Sequence, residues 1–294
     1  MSIRSENILS LTGLSLESKS NDELRSIFSK ILNIGMHGLC FSPYHEGQEP
    51  GSRISEEQIR SRIEKIKPYT KWIRTFSCTD GNELIPAIAR EYGLKTLVGA
   101  WLGKSERINN EELDNAIKIA NKGNADILAI GNEVMYRGDL SEEQLIDFIE
   151  RVKTNVSNVP VSYVDAYYEF ENRPRVTEIC DVILANCYPF WEGCNIEYSL
   201  LYMKDMYNRT VKAAKGKKVI IAETGWPNIG EDFYGAEPSF HNAIRYFINS
   251  QIWSKEDGID IFYFSSFDES WKISDEGEVG AFWGLWDKRE KLKY

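Results

Sequence analysis

Two glutamates in this 294-residue chain close two apolar runs of the same design. Val219 to Pro227 reads VIIAETGWP, and Ile127 to Val134 reads ILAIGNEV. Each run predicts a buried parallel strand, and its carboxylate, Glu223 or Glu133, arrives where the strand should end. A carboxylate there is penalised by desolvation unless hydrogen bonds or a chemical role compensate. A facing pair can divide the labour of breaking a glycosidic bond. One carboxyl protonates the leaving oxygen while the other attacks the anomeric carbon, at a separation of about 5 to 5.5 Å for the retaining reaction. Nearby negative charge and partial burial keep the acid protonated, whereas hydrogen bonds and cations keep the nucleophile ionised. Either glutamate alone reads equally well as a loop ion pair or a cap.

The elements that must position this pair follow a repeating pattern. Asn21 or Asp22 can cap a first helix, DELRSIFSKIL, ahead of strand one, His37 to Tyr44. Ser55 with Gln58 predicts a capping box on the next helix, where Ile59, Ile63 and Ile66 share a face. Strand two is expected over Lys71 to Ser77, strand three over Lys95 to Leu102, strand four over Ala125 to Val134 and strand five over Val159 to Ala166. Strand six spans Asp181 to Phe190, strand seven is the Glu223 run, and strand eight spans Ile259 to Glu269. Amphipathic helices separate them, among them SEEQLIDFIERVK with a Ser141–Gln144 capping box and a helix opened by Ser239 and closed by Gly258. A tail replaces the last helix.

Eight strand and helix alternations describe an α/β fold, a single (β/α)8 TIM barrel over residues 1–294, with residues 1–36 as an N-terminal helical extension. No G-x-G-x-x-G or Walker loop follows a strand, which disfavours an open doubly wound sheet. Function is then expected at the C-terminal ends of the strands. Those ends collect Tyr44, His45, Arg74, Trp101, Asn132, Glu133, Asp165, Tyr167, Tyr188, Trp191, Glu223, Trp226, Glu269, Trp271 and Lys272. Carboxylates among aromatic rings suit a carbohydrate, whose C–H faces pack on rings and whose hydroxyls need fixed polar partners. Trp191, Trp226, Trp271, Trp283 and Trp286 either meet sugar or pack the core, and Trp271, Trp283 and Trp286 could build an acceptor platform. Arg74 either balances a buried carboxylate or touches substrate.

Composition narrows the partners. With 35 Lys plus Arg against 45 Asp plus Glu the net charge is −10, and no long basic run occurs, which excludes nucleic acid and favours a neutral or cationic ligand. No apolar run is long enough to span a membrane. His37, His45 and His241 make no metal-like pair and are expected to be structural; neither metal nor cofactor is expected. Cys40, Cys78, Cys180, Cys187 and Cys194 are odd in number and are expected as reduced, mostly buried thiols. The first residues, MSIRSENILSLTGLSLESKS, lack a continuous apolar core, so no secretion signal is expected. The expected location is the cytoplasm, or the periplasm or outside if a signal has been removed. Oligomeric state is not legible.

The motifs GNEV, ETGWP and FDESWK, with ANCYPFW before the second, resemble those of glycoside hydrolase family 17, the β-1,3-glucanase family of the large barrel clan. The resemblance runs from about His37 to the C-terminus. It implies Glu133 as acid/base and Glu223 as nucleophile, on strands four and seven. It further implies Glu269 and Lys272 as supporting polar groups, and Tyr44 and Tyr188 as hydroxyls lining the sugar site. Arg74, Asn132, Trp191, Trp226, Trp271 and Trp283 complete the candidate substrate contacts. The implied activity is retaining hydrolysis of a laminarin-type β-1,3-glucan, with glucanosyl transfer through the same intermediate as the alternative within the class. A glucan-binding barrel without catalysis is the alternative outside it. Plant members carry a Tyr near the end of strand two where this chain has RTFS, and FNEN becomes FDES. The chain resembles most the bacterial branch, some of whose members transfer glucan.

Overall fold

In a computed structural model, which describes residues 12–294, eight parallel strands close into a barrel in sequence order. The strands are β1 (Met36–Cys40), β2 (Thr70–Arg74), β3 (Lys95–Ala100), β4 (Ile127–Asn132), β5 (Val161–Ala166), β6 (Ile183–Asn186), β7 (Val219–Thr224) and β8 (Ile261–Tyr263). β8 pairs with β1 through Gly38↔Phe262 and Leu39↔Tyr263, which completes the closure. Closure removes every sheet edge and buries both faces of each strand, hence the near-continuous apolar runs.

β5 and β7 end where expected, at Ala166 and Thr224, but the other six strands end sooner than their apolar runs suggest. β1 stops at Cys40 rather than Tyr44, β6 at Asn186 rather than Phe190, and β8 at Tyr263 rather than Glu269. The surplus apolar residues pack as loops around the mouth: Phe190 and Phe267 are fully buried although neither lies in a strand. Ladder pairing ends at the mouth, but burial continues.

Helices fill the outside and are set by their caps. The first, Asn21–Ile34, is capped by Ser20 in a reciprocal box with Glu23, one residue ahead of the Asn21 expected from sequence. Ser55 caps Glu56–Ile66 by accepting from the Gln58 backbone, but the reciprocal half is missing. The Gln58 side chain instead donates to the carbonyl of Pro43 at 2.5 Å. Glu142–Asn155 carries the full Ser141–Gln144 box, and Phe240–Asp257 runs from Ser239 to a left-handed Gly258. After β8 only short turns, Ser270–Lys272, Ile273–Glu276 and Glu278–Ala281, stand where an eighth helix would be. Residues 1–11 of the expected N-terminal extension lie outside the described residues.

The histidines serve the scaffold. His37 Nδ1 lies 2.9 Å from Asp260 and its ring stacks on Trp72. His45 faces Glu290, and His241 faces the Lys19 carbonyl. Cys40, Cys78, Cys180 and Cys187 are buried free thiols, and Cys194 is partly exposed. Among the described residues no helix is long and apolar enough to cross a membrane, and no cluster of His, Cys, Asp and Glu is arranged to hold a metal ion.

Candidate active site

Three strands shift register where they reach the mouth: β4 against β5 before Asn132, β6 against β7 at Asn186, and β7 against β8 before Thr224. Such irregularities re-aim side chains at a sheet's end, and here they fall beside the two glutamates. Glu133 itself adopts a left-handed conformation, φ 52° and ψ 31°, between β4 and the turn Val134–Arg137. A non-glycine residue there costs roughly 1–3 kcal/mol, so the surroundings must hold it. They do so through the Glu133 amide, which donates to Val164 at 2.8 Å, and the Glu133 carbonyl, which accepts from the Arg137 amide at 2.8 Å. Asp165 accepts from the amides of Met135 and Tyr136 at 3.2 and 3.3 Å and from the Tyr163 hydroxyl. Burial pushes the Asp165 carboxyl up to about 6.

Glu223, 5% exposed, is gripped from three sides. The Tyr188 hydroxyl donates to Oε2 at 2.8 Å, Asn186 Nδ2 donates to Oε1 at 3.1 Å, and the Arg74 guanidinium pairs with Oε1. Arg74, buried at the end of β2, also donates to Asn132 Oδ1 at 2.7 Å and lies over the Phe76 ring at 4.3 Å. Of the two roles open to Arg74 in the sequence, the structure shows charge balance for a buried carboxylate.

Asn186 Nδ2 also donates to Glu133 Oε1, at 2.8 Å. Sharing one donor atom keeps the two carboxylate oxygens within about 6 Å of each other, a spacing that suits a retaining pair and is shorter than the about 6.5–9.5 Å of inverting pairs. Burial and the Glu223 charge together push Glu133 up to about 7, while the Asn186 hydrogen bond works the other way. Burial and the same charge also raise the Tyr188 phenol well above its usual range, so it remains a donor.

A second group adjoins this one. Lys272 Nζ pairs with Glu269 at 2.7 Å and lies 4.1 Å over the Phe264 ring, which in turn touches Tyr188 edge-on. Trp271 Nε1 donates to Glu269 at 3.1 Å, and the Trp271 ring meets Tyr44 edge-on at 6.4 Å. The Tyr44 hydroxyl accepts from Asn82 at 3.3 Å. Tyr44, Trp191 and Trp271 are half-buried at the mouth. Trp226, by contrast, is 1% exposed, packs on Phe190 and Tyr246, and donates to the Glu237 carbonyl at 2.9 Å. Trp283 and Trp286 are buried too, which removes them from an exposed acceptor platform. Trp283 still touches Tyr188 and Trp191 by its ring.

Asn186 is the site residue that sequence reasoning passed over. It lies two residues before Tyr188 in the ANCYPFW stretch, at the last position of β6, and both donate to Glu223. Phe76 and Phe264 read as ordinary core residues and gave no signal.

Paired carboxylates at a barrel's strand ends, one with its pKa raised by burial and the other paired with a cation, can perform acid-assisted displacement at a sugar carbon. Residues 38–284 match the model of the BtgE/BtgC glycoside hydrolase domain. The chain belongs to this glycoside hydrolase family. Curated relatives include a glucan 1,3-β-glucosidase of Schizosaccharomyces pombe, 29% identical over 79% of this chain and 78% of its own length. Another is glucan 1,3-β-glucosidase BGL2 of Candida albicans, 27% identical over 79% of this chain and 83% of its own. Among solved structures, a glycoside hydrolase family 17 β-1,3-glucanosyltransferase of Rhizomucor miehei is 29% identical with a TM-score of 0.80. The match covers 89% of this chain and 96% of that one. An active-site mutant of the Rhizomucor miehei β-1,3-glucanosyltransferase has been solved with laminaritriose. The resemblance to glycoside hydrolase family 17 carried by the GNEV and ETGWP motifs therefore extends to the fold.

Proposed function

We propose that this glycoside hydrolase is a retaining enzyme of β-1,3-glucan in which Glu223 is the nucleophile and Glu133 the acid/base. The observation that carries the reading is the Asn186 amide nitrogen shared by the two carboxylates. Its two donor bonds keep one oxygen of each carboxylate within about 6 Å of the other, which supports the short separation that double displacement uses. In the first step a Glu223 oxygen bonds to the anomeric carbon as the glycosidic C–O bond breaks, and the Glu133 proton goes to the departing oxygen. In the second, Glu133 takes a proton from an incoming hydroxyl, whose oxygen attacks the same carbon and releases Glu223. Arg74 and Tyr188 offset the Glu223 charge and hold its orientation. Asn186 Oδ1 is buried and has no hydrogen-bond partner among the described residues.

Water as the incoming hydroxyl gives hydrolysis, and a sugar gives transfer. The likeness to a glucanosyltransferase over nearly all of its length supports transfer as a second reading alongside the glucosidases. A time course on a defined β-1,3-gluco-oligosaccharide, followed by mass spectrometry across substrate concentrations, separates them. Products longer than the input mark transfer; shorter products alone mark hydrolysis. No change in any β-1,3-linked oligosaccharide would overturn the proposal.

A further inference from the structure

Asp165 is a carboxylate without solvent exposure, and the donors that hold it are all neutral. Its Oδ1 accepts from the Ala166 amide at 2.8 Å, while Oδ2 accepts from the amides of Met135 and Tyr136 and from the Tyr163 hydroxyl. The Tyr163 hydroxyl accepts in turn from the Met135 amide at 2.9 Å. Asp165 and Tyr163, both on β5, therefore grip the backbone of the turn that begins directly after Glu133. The Tyr163 ring is seated against β4 as well. A Cβ at Gly131, whose φ is 89°, would lie 3.3 Å from that ring.

A neutral acceptor satisfies two amides and a hydroxyl too, and a buried charge without a cation is costly. What the charge adds is a field on its neighbour. Burial and the Glu223 charge do most to raise the Glu133 carboxyl, and the Asp165 charge raises it further, against the Asn186 hydrogen bond and the Arg74 charge. Asp165 itself faces Tyr163 on its own strand, and Glu169 and Tyr168 on the helix Tyr167–Asn172. Burial pushes it up to about 6, so it is ionised where Glu133 titrates. Burial, and then the Asp165 charge, raise the Tyr163 phenol far above its usual range, which keeps it a donor.

We propose that Asp165 and Tyr163 are positioning residues for the acid/base: their hydrogen bonds to the turn aim Glu133, and the Asp165 charge helps it keep its proton. The inference rests on the reading of Glu133 as the acid/base. Wild type, Y163F, D165N and E133Q are compared on a free β-1,3-gluco-oligosaccharide and on its 2,4-dinitrophenyl glycoside, whose leaving group departs as a stable anion and needs no proton from an acid. A misaimed acid lowers kcat/KM of Y163F and D165N on the free oligosaccharide by about 10- to 100-fold, through kcat rather than KM. On the dinitrophenyl donor the loss is at least about tenfold smaller. The alkaline limb on the free oligosaccharide moves to lower pH in D165N, which drops the charge, and stays in place in Y163F, which keeps it. If D165N does not fold, the comparison of leaving groups in Y163F decides. Equal losses on both donors, or an unmoved limb in D165N, would overturn the positioning role while E133Q, still selective for the dinitrophenyl donor, upholds Glu133 as the acid. E133Q impaired equally on both donors would overturn the acid/base reading and this inference with it.

Discussion

Glu133 and Glu223 meet on a single hydrogen-bond donor, Asn186 Nδ2, at 2.8 and 3.1 Å. The amide carries two protons, one for each carboxylate, so it bounds their separation. Arg74 and Tyr188 add two further partners to Glu223 alone. On the proposed roles, the same contact bears on catalysis, on pH dependence and on stability.

Removing either carboxylate's charge chemistry should stop turnover. Glu223→Gln leaves no nucleophile, and Glu133→Gln leaves no proton for the departing sugar. Each should reduce kcat on laminari-oligosaccharides by at least about 10²–10⁴-fold, with a folded protein by circular dichroism. Near-normal turnover in either variant would dismiss the assigned pair.

The pH profile follows from Glu133, pushed up to about 7 by burial and then by the Glu223 charge. With Glu133 as the proposed acid the protonated form is active, so kcat/KM should fall tenfold per unit as pH rises beyond about 7. In Glu223→Gln the neighbouring charge is gone, and the Glu133 carboxyl, read by carbon NMR, should titrate at lower pH. An unmoved titration would mean that burial alone sets it.

Stability should carry the same signature with the sign set by a raised carboxyl. The folded value of about 7 lies above an unfolded value of about 4.3, so stability is fully present below the latter and is lost as pH rises through the former. Glu133→Gln cannot ionise. Its Tm advantage over wild type should therefore grow between pH 5 and pH 8, and a constant difference in thermal melts would count against the shift.

Asn186→Ala removes the shared donor. We expect kcat to fall by about 10- to 100-fold, in the range of a lost positioning contact, while the alkaline limb moves to higher pH because the Asn186 bond favours ionised Glu133. A loss of activity with an unshifted limb would reduce Asn186 to packing.

Arg74→Met should cost about 3–5 kcal/mol, because it leaves the Glu223 charge buried without its cation. Adding Glu223→Gln should return much of that loss, since the orphaned charge is then absent. Denaturant midpoints of the two single variants and the double variant give the coupling; strict additivity would show that the pair is not a stabilising unit.

The sequence by itself determined the alternation of apolar strands with capped helices and, through it, the closed barrel and the location of Glu133 and Glu223 at strand ends. Those features are local: strand burial, cap chemistry and the period of each element are written in neighbouring residues. The roles of Arg74 and the tryptophans were not local. Whether Trp226 meets sugar or Tyr246 depends on a helix contributed later in the chain, and Trp283 lies buried between residues from the loops after β6 and β8. Strand length was overread because loop residues such as Phe190 remain buried after the ladder ends, so hydrophobicity continues where pairing does not. The bridging amide, Asn186, acquires its meaning only when β4, β6 and β7 bring their ends together. Tertiary structure alone decided that one nitrogen would serve two carboxylates, because a hydrogen bond is fixed by ångström distances that sequence spacing does not encode.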